Sequence, residues 1–387
     1  MMLSGLTVVE AGEFVAAPYC GRLLADLGAR VIKLEPPGGD LARRYGPFPG
    51  GVPDPEKSGL FAFLNTGKES VVADFADPAG REQARALAAR ADVWITGYPC
   101  RQLTEQGLDW DILGRAHPRL VYCALSTFGW SGPYRDRQGG GFHASALAGV
   151  TWAIGNPGRP PLQLPLTQAD FQGGANAACA ILVALYARRR SGAGQFIDVA
   201  LAEVLANYAG IGSTLYLYYG LQWRRDGQRA SGSMGPYPLG IFPCKDGLVV
   251  LIARTLRDWD RFLKAMGSPP WADNSRYRDQ VAMGRDYPDE VDALVKDLLK
   301  DHSQEDLFRI AREYGFPLAP LRTIRDSLED PQFAHRGFFE TVELPGIGPV
   351  KLPRLPFQFS SVKPRPLAAP PRLGQHTEAA LRELRAG

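Results

Sequence analysis

The chain has 387 residues, more than one hydrophobic core ordinarily serves, so two domains are expected. With 45% hydrophobic and 22% charged residues, its composition is that of a globular protein, neither disordered nor fibrous. The net charge of +3, with Lys and Arg mixed among Asp and Glu, speaks against the concentrated basic patch that a nucleic-acid or anionic-membrane surface requires.

The opening reads as β-α-β. Leu6 to Ala11 is apolar and β-branched, Ala16 to Ala29 has helical spacing ending near Gly28, and Arg30 to Glu35 forms a second strand. A similar unit follows, with a strand at Ser70 to Phe75, a helix at Pro78 to Arg90 that carries Pro in its first turn, and a strand at Asp92 to Thr96. Arg119 to Ser126 is another apolar strand. Strands alternating with helices predict a parallel sheet covered on both faces. A long helix of small and apolar residues lies between Leu166 and Gln195. From Tyr208 the chain turns aromatic, then polar, as a helix leading into a linker. Gly235 to Ala253 reads as a hairpin turning at Lys245, Asp246 and Gly247. Helices at Arg257 to Met266 and Asp289 to Leu299 complete a smaller α+β domain. The proline-rich tail contains short extended pieces, ETVELP and FQFSS, that rejoin the first domain, and it finishes in a helix, TEAALRELRA.

The five cysteines, Cys20, Cys100, Cys123, Cys179 and Cys244, are scattered and form no C-x-x-C pair, which predicts free thiols in a reducing compartment. The first residues lack the basic segment and apolar core of a signal peptide. The longest apolar run, Ala177 to Ala187, is too short to span a bilayer. A cytoplasmic protein without membrane or nucleic-acid partners is the expectation.

Glu35 at the end of a second strand invites a dinucleotide reading, but the turn Ala11 to Pro18 lacks G-x-G-x-x-G. The histidines His117, His143, His302, His335 and His376 show no metal-ligand spacing, and no G-x-S-x-G serine is present. Asp170 is the residue that invites chemistry. As an N-cap it would satisfy the free amides of the long helix, with Arg188, Arg189 and Arg190 at the opposite pole and Gly192 or Gly194 as the stop. As a nucleophile it would use the same amides, while Gly173 and Gly174 give a reacting carbonyl room to approach and amides to stabilise an oxyanion. Both readings fit the sequence.

The segment LSGLTVVEAGEFVAAPYCGRLLADLGARVIKLEPPGGDLARRYGP resembles the amino terminus of the family III coenzyme A transferases (CaiB/BaiF), which include formyl-CoA:oxalate and carnitine CoA-transferases. The likeness continues through FLNTGKESVVADF, ADVWITGYP, HPRLVYCALSTFGWSGPY and QADFQGGANAACAILVALYARRRSGAGQFIDVAL to RLGQHTEAALREL. The resemblance implies an α/β fold: a large Rossmann-like domain with a parallel sheet and a smaller α+β domain, in an interlocked homodimer. It implies a large CoA-binding domain over 1–205, a linker over 206–228, a small domain over 229–320 and a C-terminal segment over 321–387 that returns to the large domain. It makes Asp170 the nucleophile that takes CoA from an acyl-CoA thioester, through a mixed anhydride and an aspartyl-CoA thioester, and hands it to a free carboxylic acid. No permanently bound cofactor or metal is implied, CoA thioester being a co-substrate. CoA contacts fall on Val15, Ala16, Arg43, Leu64, Asn65, Lys68, Gly97, Tyr98, Ser126, Thr127 and Phe128. Lys68 and Arg43 are then phosphate partners and Tyr98 an adenine-side surface.

Three departures stand out. GYPC replaces the family's N-F-x-P-G, Pro36 stands where arginine is usual, and Gly67 is the third residue of what is usually N-R-N-K-R-S; Arg101 is a substitute cation. ADFQGG also resembles the aspartate region of the α-methylacyl-CoA racemases, but the histidine of that chemistry would lie near Gly140, and His143 is three residues away. A CoA-binding protein without turnover is a third reading. The glycine run Gly139 to Gly141 would open a wall of the active site. Tyr208, Tyr216, Tyr218, Tyr219 and Trp223 would line a roomy acyl pocket suited to an aromatic or alicyclic acid.

Overall fold

The computed structural model describes residues 1–229, 235–362 and 365–386. Two compact units emerge. One comprises Met1–Ala148, Leu164–Ala209 and Pro331–Gly387, the other Gly149–Gln163 and Gly210–Asp330. Residues 149–163, which the sequence reading runs on within the large domain, group with the second unit.

The first unit is built on six parallel strands, β1 (Thr7–Ala11), β2 (Arg30–Glu35), β3 (Glu69–Val72), β4 (Val93–Thr96), β5 (Val121–Ser126) and β6 (Phe196–Ala200), in the order β3-β2-β1-β4-β5-β6. The expected α/β class and parallel sheet are therefore present, in the doubly wound order whose direction of winding reverses between β1 and β4. Strand β6 was not anticipated, because Asp198 interrupts its apolar run. Helices α1 (Ala16–Asp26), α2 (Gly59–Asn65), α3 (Pro78–Ala88), α4 (Cys100–Gln106), α5 (Trp110–Ala116), α6 (Gly141–Leu147), α7 (Gln168–Ser191) and α8 (Leu201–Tyr208) complete it.

Side chains alternate across the sheet. Val8, Val31, Val93 and Val121, in register, pack with Ala17, Cys20 and Leu24 of α1 and Ala177, Ile181 and Ala184 of α7. Val9, Ile32, Trp94 and Tyr122 face the other way, onto Ala84 and Leu87 of α3 and Leu113 of α5. At their carboxyl ends β1 and β2 replace apolar residues on the α1 side with charges: Glu10 pairs in register with Lys33, and Glu35 follows. All three are fully buried. Gly21 of α1 makes the space, since a Cβ there would lie 1.9 Å from Glu10 Oε2.

Lys33 Nζ donates to Glu10 Oε1 and to the Gly12 carbonyl, both at 2.9 Å, and pairs with Asp40 Oδ2 at 2.6 Å. Asp40 Oδ1 in turn accepts the amide of Phe14, a residue with φ of +71°. Lys68 Nζ donates to Glu10 Oε2 (2.7 Å), the Pro18 carbonyl (2.7 Å) and Asn65 Oδ1 (2.9 Å). The turn from β1 into α1 is thus fastened from below at residues 12, 14 and 18. Burial drags at the Lys33 ammonium, but Asp40, Glu10 and Glu35 outweigh it and hold its pKa above the ordinary lysine value. Lys68, with less negative charge around it, is pulled by burial down to about 8.

The tail returns to β3 in the same unit. The Ser70 amide donates to His376 Nδ1 and the Val72 amide to Thr377 Oγ1, while Arg30 joins Glu69 and Glu383. ETVELP falls in a strand, Phe339–Leu344, paired with Gly348–Pro353; FQFSS forms no strand, its polar Gln358 and two serines offering no continuous apolar face. The final helix is Thr377–Ala386. In the second unit the expected hairpin is Leu239–Pro243 with Leu248–Ile252, extended by Leu318–Pro320, and the helices Leu256–Ala265 and Pro288–Leu299 cover it. No helix among the described residues is long and apolar enough to cross a membrane.

Three substitutions check this architecture. Lys33→Met leaves buried carboxylates uncompensated and is expected to destabilise by about 3–5 kcal/mol in denaturant unfolding. Lys57→Met, which removes the half-exposed partner of Asp54, is expected to cost less than about 1 kcal/mol. Gly174→Ala is expected to lower the melting temperature, because its Cβ would stand 2.5 Å from the Ala16 carbonyl oxygen, an overpacking cost of about 1–3 kcal/mol.

Candidate active site

Helix α7 begins at a sharp left-handed turn. Leu166 and Thr167 have φ of +54° and +55°, and Thr167, the N-cap, makes no side-chain cap bond. Asp170 therefore is not the N-cap. It stands within the first helical turn, its amide already donating to the Thr167 carbonyl at 2.9 Å. The left-handed pair moves the helix start two residues ahead of the acid. The stop and the basic pole fall as expected: Gly192 takes φ of +72°, and Arg188, Arg189 and Arg190 fill the last turn. Arg188 pairs with Asp92 at 2.8 Å.

The Asp170 side chain is 9% exposed and, among the described residues, has no cation or donor on another residue. Burial raises its pKa to about 6, with its own amide pulling weakly the other way. Such a carboxyl is ionised at neutral pH yet poorly solvated, the condition of a reactive nucleophile.

Three glycines settle where it points. A Cβ on Gly141, the first residue of α6, would come within 2.2 Å of Asp170 Oδ2, so the carboxylate lies against bare backbone there. Gly174, one turn beyond Asp170 on the same face of α7, presses on the first turn of α1: its Cβ would meet the Ala16 carbonyl at 2.5 Å and Tyr19 Cβ at 3.2 Å. Gly173 is seated on Leu201 of α8, at 2.0 Å by the same measure. The space that Gly173 and Gly174 leave is thus taken by protein, and the bare glycine beside the carboxylate is Gly141. Asp170 lies on the face of α7 directed to the Val15–Ala16 corner, where α1 begins without a side-chain cap.

The residues expected to meet CoA divide into two groups. Gly97, Tyr98, Arg101, Ser126 and Thr127 line one cleft of about 530 Å3 at the carboxyl ends of β4 and β5, together with Trp130, Arg135, Arg137 and Gly139. Phe128 adjoins it, edge to face with Tyr134 at 5.8 Å and in contact with the Gly139 backbone. Gly97 sits close against Gly12 of the β1 turn, where a Cβ would meet the Gly97 amide at 2.9 Å. Arg101 is exposed and paired with Glu105 at 2.9 Å. Burial raises the Tyr98 phenol pKa, and its ring packs on Phe75 at 5.7 Å.

Arg43, Leu64, Asn65 and Lys68 form the second group, all buried. Arg43 is gripped by Glu35 (2.7 and 2.9 Å), donates to the Pro371 carbonyl and stacks on Phe61 at 3.7 Å. The side chains of Arg43, Asn65 and Lys68 are committed to the protein's own polar groups, and Leu64 packs in an apolar cluster with Val15 and Phe61. Sequence reasoning overlooked Glu10, the partner of Lys68, and with it Lys33 and Asp40, which complete the same ion-pair chain. The signal was a pair of opposite charges at corresponding positions of two otherwise apolar parallel strands. It also overlooked Arg135 and Arg137, which only the folding-back of residues 135–139 brings to the cleft. No cluster of His, Cys, Asp and Glu among the described residues could hold a metal.

Comparison with known proteins gives the site its context. The sequence pattern of CoA-transferase family III matches residues 3–377. The chain is 32% identical to succinyl-CoA–D-citramalate CoA-transferase of Chloroflexus aurantiacus, over 99% of this chain and 94% of that one. It is also 32% identical to succinate–glutarate CoA-transferase of Agrobacterium fabrum, over 99% and 95%. A crystal structure of a CaiB/BaiF family protein from Brucella suis superposes with a TM-score of 0.86 and 31% identity, covering 98% of each chain. With its parallel sheet, its buried aspartate and a match that runs almost from end to end, the chain belongs to CoA-transferase family III.

Proposed function

We propose that this CoA-transferase works through Asp170 as a covalent nucleophile. A carboxylate oxygen attacks the donor thioester carbon and expels CoA thiolate, leaving an aspartyl mixed anhydride. The thiolate then attacks the aspartyl carbonyl, releasing the donor acid as its carboxylate and forming an aspartyl-CoA thioester. The acceptor carboxylate attacks that thioester and displaces the thiolate, which finally attacks the acceptor acyl carbon and restores Asp170. No net proton is consumed, and the thioester is conserved provided water is kept out.

The observation that carries this reading is a buried carboxylate, with no cation or donor on another described residue, lying against the bare Gly141 backbone beside the corner where α1 starts. CoA is proposed to lie along Val15 and Ala16 and through the cleft of Gly97, Tyr98, Arg101, Ser126, Thr127 and Phe128. Arg43, Leu64, Asn65 and Lys68 serve from beneath, by fixing the loops on which it rests. Racemisation would need a second acid or base opposite Asp170, yet position 140 is glycine and His143 is exposed. A homodimer belongs to the same reading and is supported by Gly210–Tyr219, a helix whose Ile211, Leu217, Tyr218 and Tyr219 are 62–80% exposed; a solution mass near twice 42.2 kDa is expected. The reading also includes the large CoA-binding domain with its returning C-terminal segment, and a cytoplasmic setting.

Asp170→Asn is expected to lower CoA exchange on the order of 10³-fold or more while the protein stays folded. It should also abolish hydroxylamine-sensitive labelling by acyl-CoA; exchange surviving in this variant would overturn the assignment. The pH dependence carries its own sign. The acid is active only when ionised, so kcat/KM is expected to fall about tenfold per unit below about pH 6. Because the folded-state pKa is raised, Asp170 contributes stability below the unfolded value near 4 and loses it as pH rises through about 6. Asp170→Asn should therefore be more stable than the parent at pH 8, by up to about 2–3 kcal/mol, with the gap closing towards pH 4 in parallel melts.

A further inference from the structure

The residue after the proposed nucleophile, Phe171, belongs to a ring cluster with no role in the steps above. It meets Tyr19 edge to face at 5.0 Å and Phe63 at 5.9 Å, while Tyr19 and Phe63 lie nearly parallel at 6.3 Å. All three are half-buried and rest on the buried Val15, Phe61 and Leu64. The cluster adjoins Asp170 for a structural reason. Gly174 holds the Asp170 face of α7 against the Tyr19 Cβ and the Ala16 carbonyl, and Phe171 follows Asp170 directly in the chain, so the cluster begins beside the acid. Phe14 and Tyr45, in contact at 4.8 Å, continue the aromatic surface along the turn after β1.

Three cations beneath or beside the three rings are already engaged, whereas Arg44, next to Tyr45, is exposed. Arg22 lies under the Phe63 ring at 4.2 Å, donates to the Phe63 and Pro353 carbonyls and pairs with Asp26 at 3.4 Å. Lys33 and Lys68 are saturated beneath the turn. A second carboxylate lying on the three rings would be desolvated with no donor to spare on Arg22, Lys33 or Lys68, which is costly. A flat apolar group would gain edge-to-face contact with three rings.

We propose that Tyr19, Phe63 and Phe171 seat the acyl chain, and that the acid activated is an aromatic monocarboxylate rather than a short dicarboxylate. This rests on Asp170 being the acylated residue. The test is self-exchange, in which the full-length protein moves CoA from an acyl-CoA to the isotopically labelled free acid of the same kind, so that no second substrate need be known. Phenylacetyl, succinyl and propionyl pairs are compared by mass.

The expected result is a kcat/KM for the phenylacetyl pair at least about tenfold above the succinyl pair. Phe171→Ala should reduce the phenylacetyl rate about tenfold and leave the propionyl rate within about threefold, with Phe171→Leu, which retains bulk in the cluster, recovering part of the loss. A succinyl pair as fast as or faster than phenylacetyl overturns the inference, as does a Phe171→Ala loss equal for all three acids. A succinyl preference abolished by Arg44→Ala would assign the seat to a dicarboxylate held by that exposed arginine. Exchange that persists in Asp170→Asn removes the parent reading and this one with it, whereas exchange that requires Asp170 but ignores the rings removes this one alone.

Discussion

A buried ammonium group organises the end of the first unit at which the proposed site lies. Lys33 sits fully buried on β2 of the parallel sheet, held by Glu10, Asp40 and the Gly12 carbonyl. Charges of this kind are tolerated inside a protein only when each is answered at close range, so the geometry around Lys33 leaves little freedom. The turn from β1 to α1 inherits that rigidity. Phe14 is kept at positive φ by the carboxylate that also answers Lys33, a conformation an ordinary residue leaves unless its surroundings fix it.

From that fixed corner the proposed nucleophile, Asp170, is placed by contact rather than by hydrogen bonding. Gly174 lets α7 approach the first turn of α1 to backbone distance, and Gly141 lets the carboxylate rest on the start of α6. Neither contact neutralises the charge. The result is an acid kept in a dry environment with its pKa raised towards neutrality, which increases the reactivity of the ionised form without a neighbouring base.

Much of this was legible in the sequence. Apolar runs of strand length separated by helical spacing gave the alternating pattern of β1, β2, β4 and β5, and Pro78, Gly192 and the hairpin turn at Asp246 marked boundaries where φ or hydrogen bonding forbids continuation. For Asp170 the local pattern left a cap and a nucleophile open; the structure removes the cap reading, and the nucleophile remains what the resemblance implies. What stayed hidden was tertiary. A left-handed pair at Leu166 and Thr167 has no propensity signature in a leucine and a threonine, so the helix start was misplaced. The partners of Lys68 and Arg43 come from other strands and from the tail, and surface cations and buried ones look alike in one dimension. Gly141 differs from its neighbours Gly139 and Gly140 only in what stands opposite.

The stitching of the tail to β3 reaches beyond the folded state. Ser70 and His376 are hydrogen-bonded although 306 residues separate them, and β3 lies at the margin of the sheet, where unpaired amides invite foreign strands. On the ribosome that margin stays bare while the whole intervening chain is made. The second unit, drawn from chain that precedes residue 331, is complete before the first, which is sealed only when residues 376–386 emerge. Its vulnerable interval therefore outlasts that of the second unit, and residues 376–386 are its closing piece.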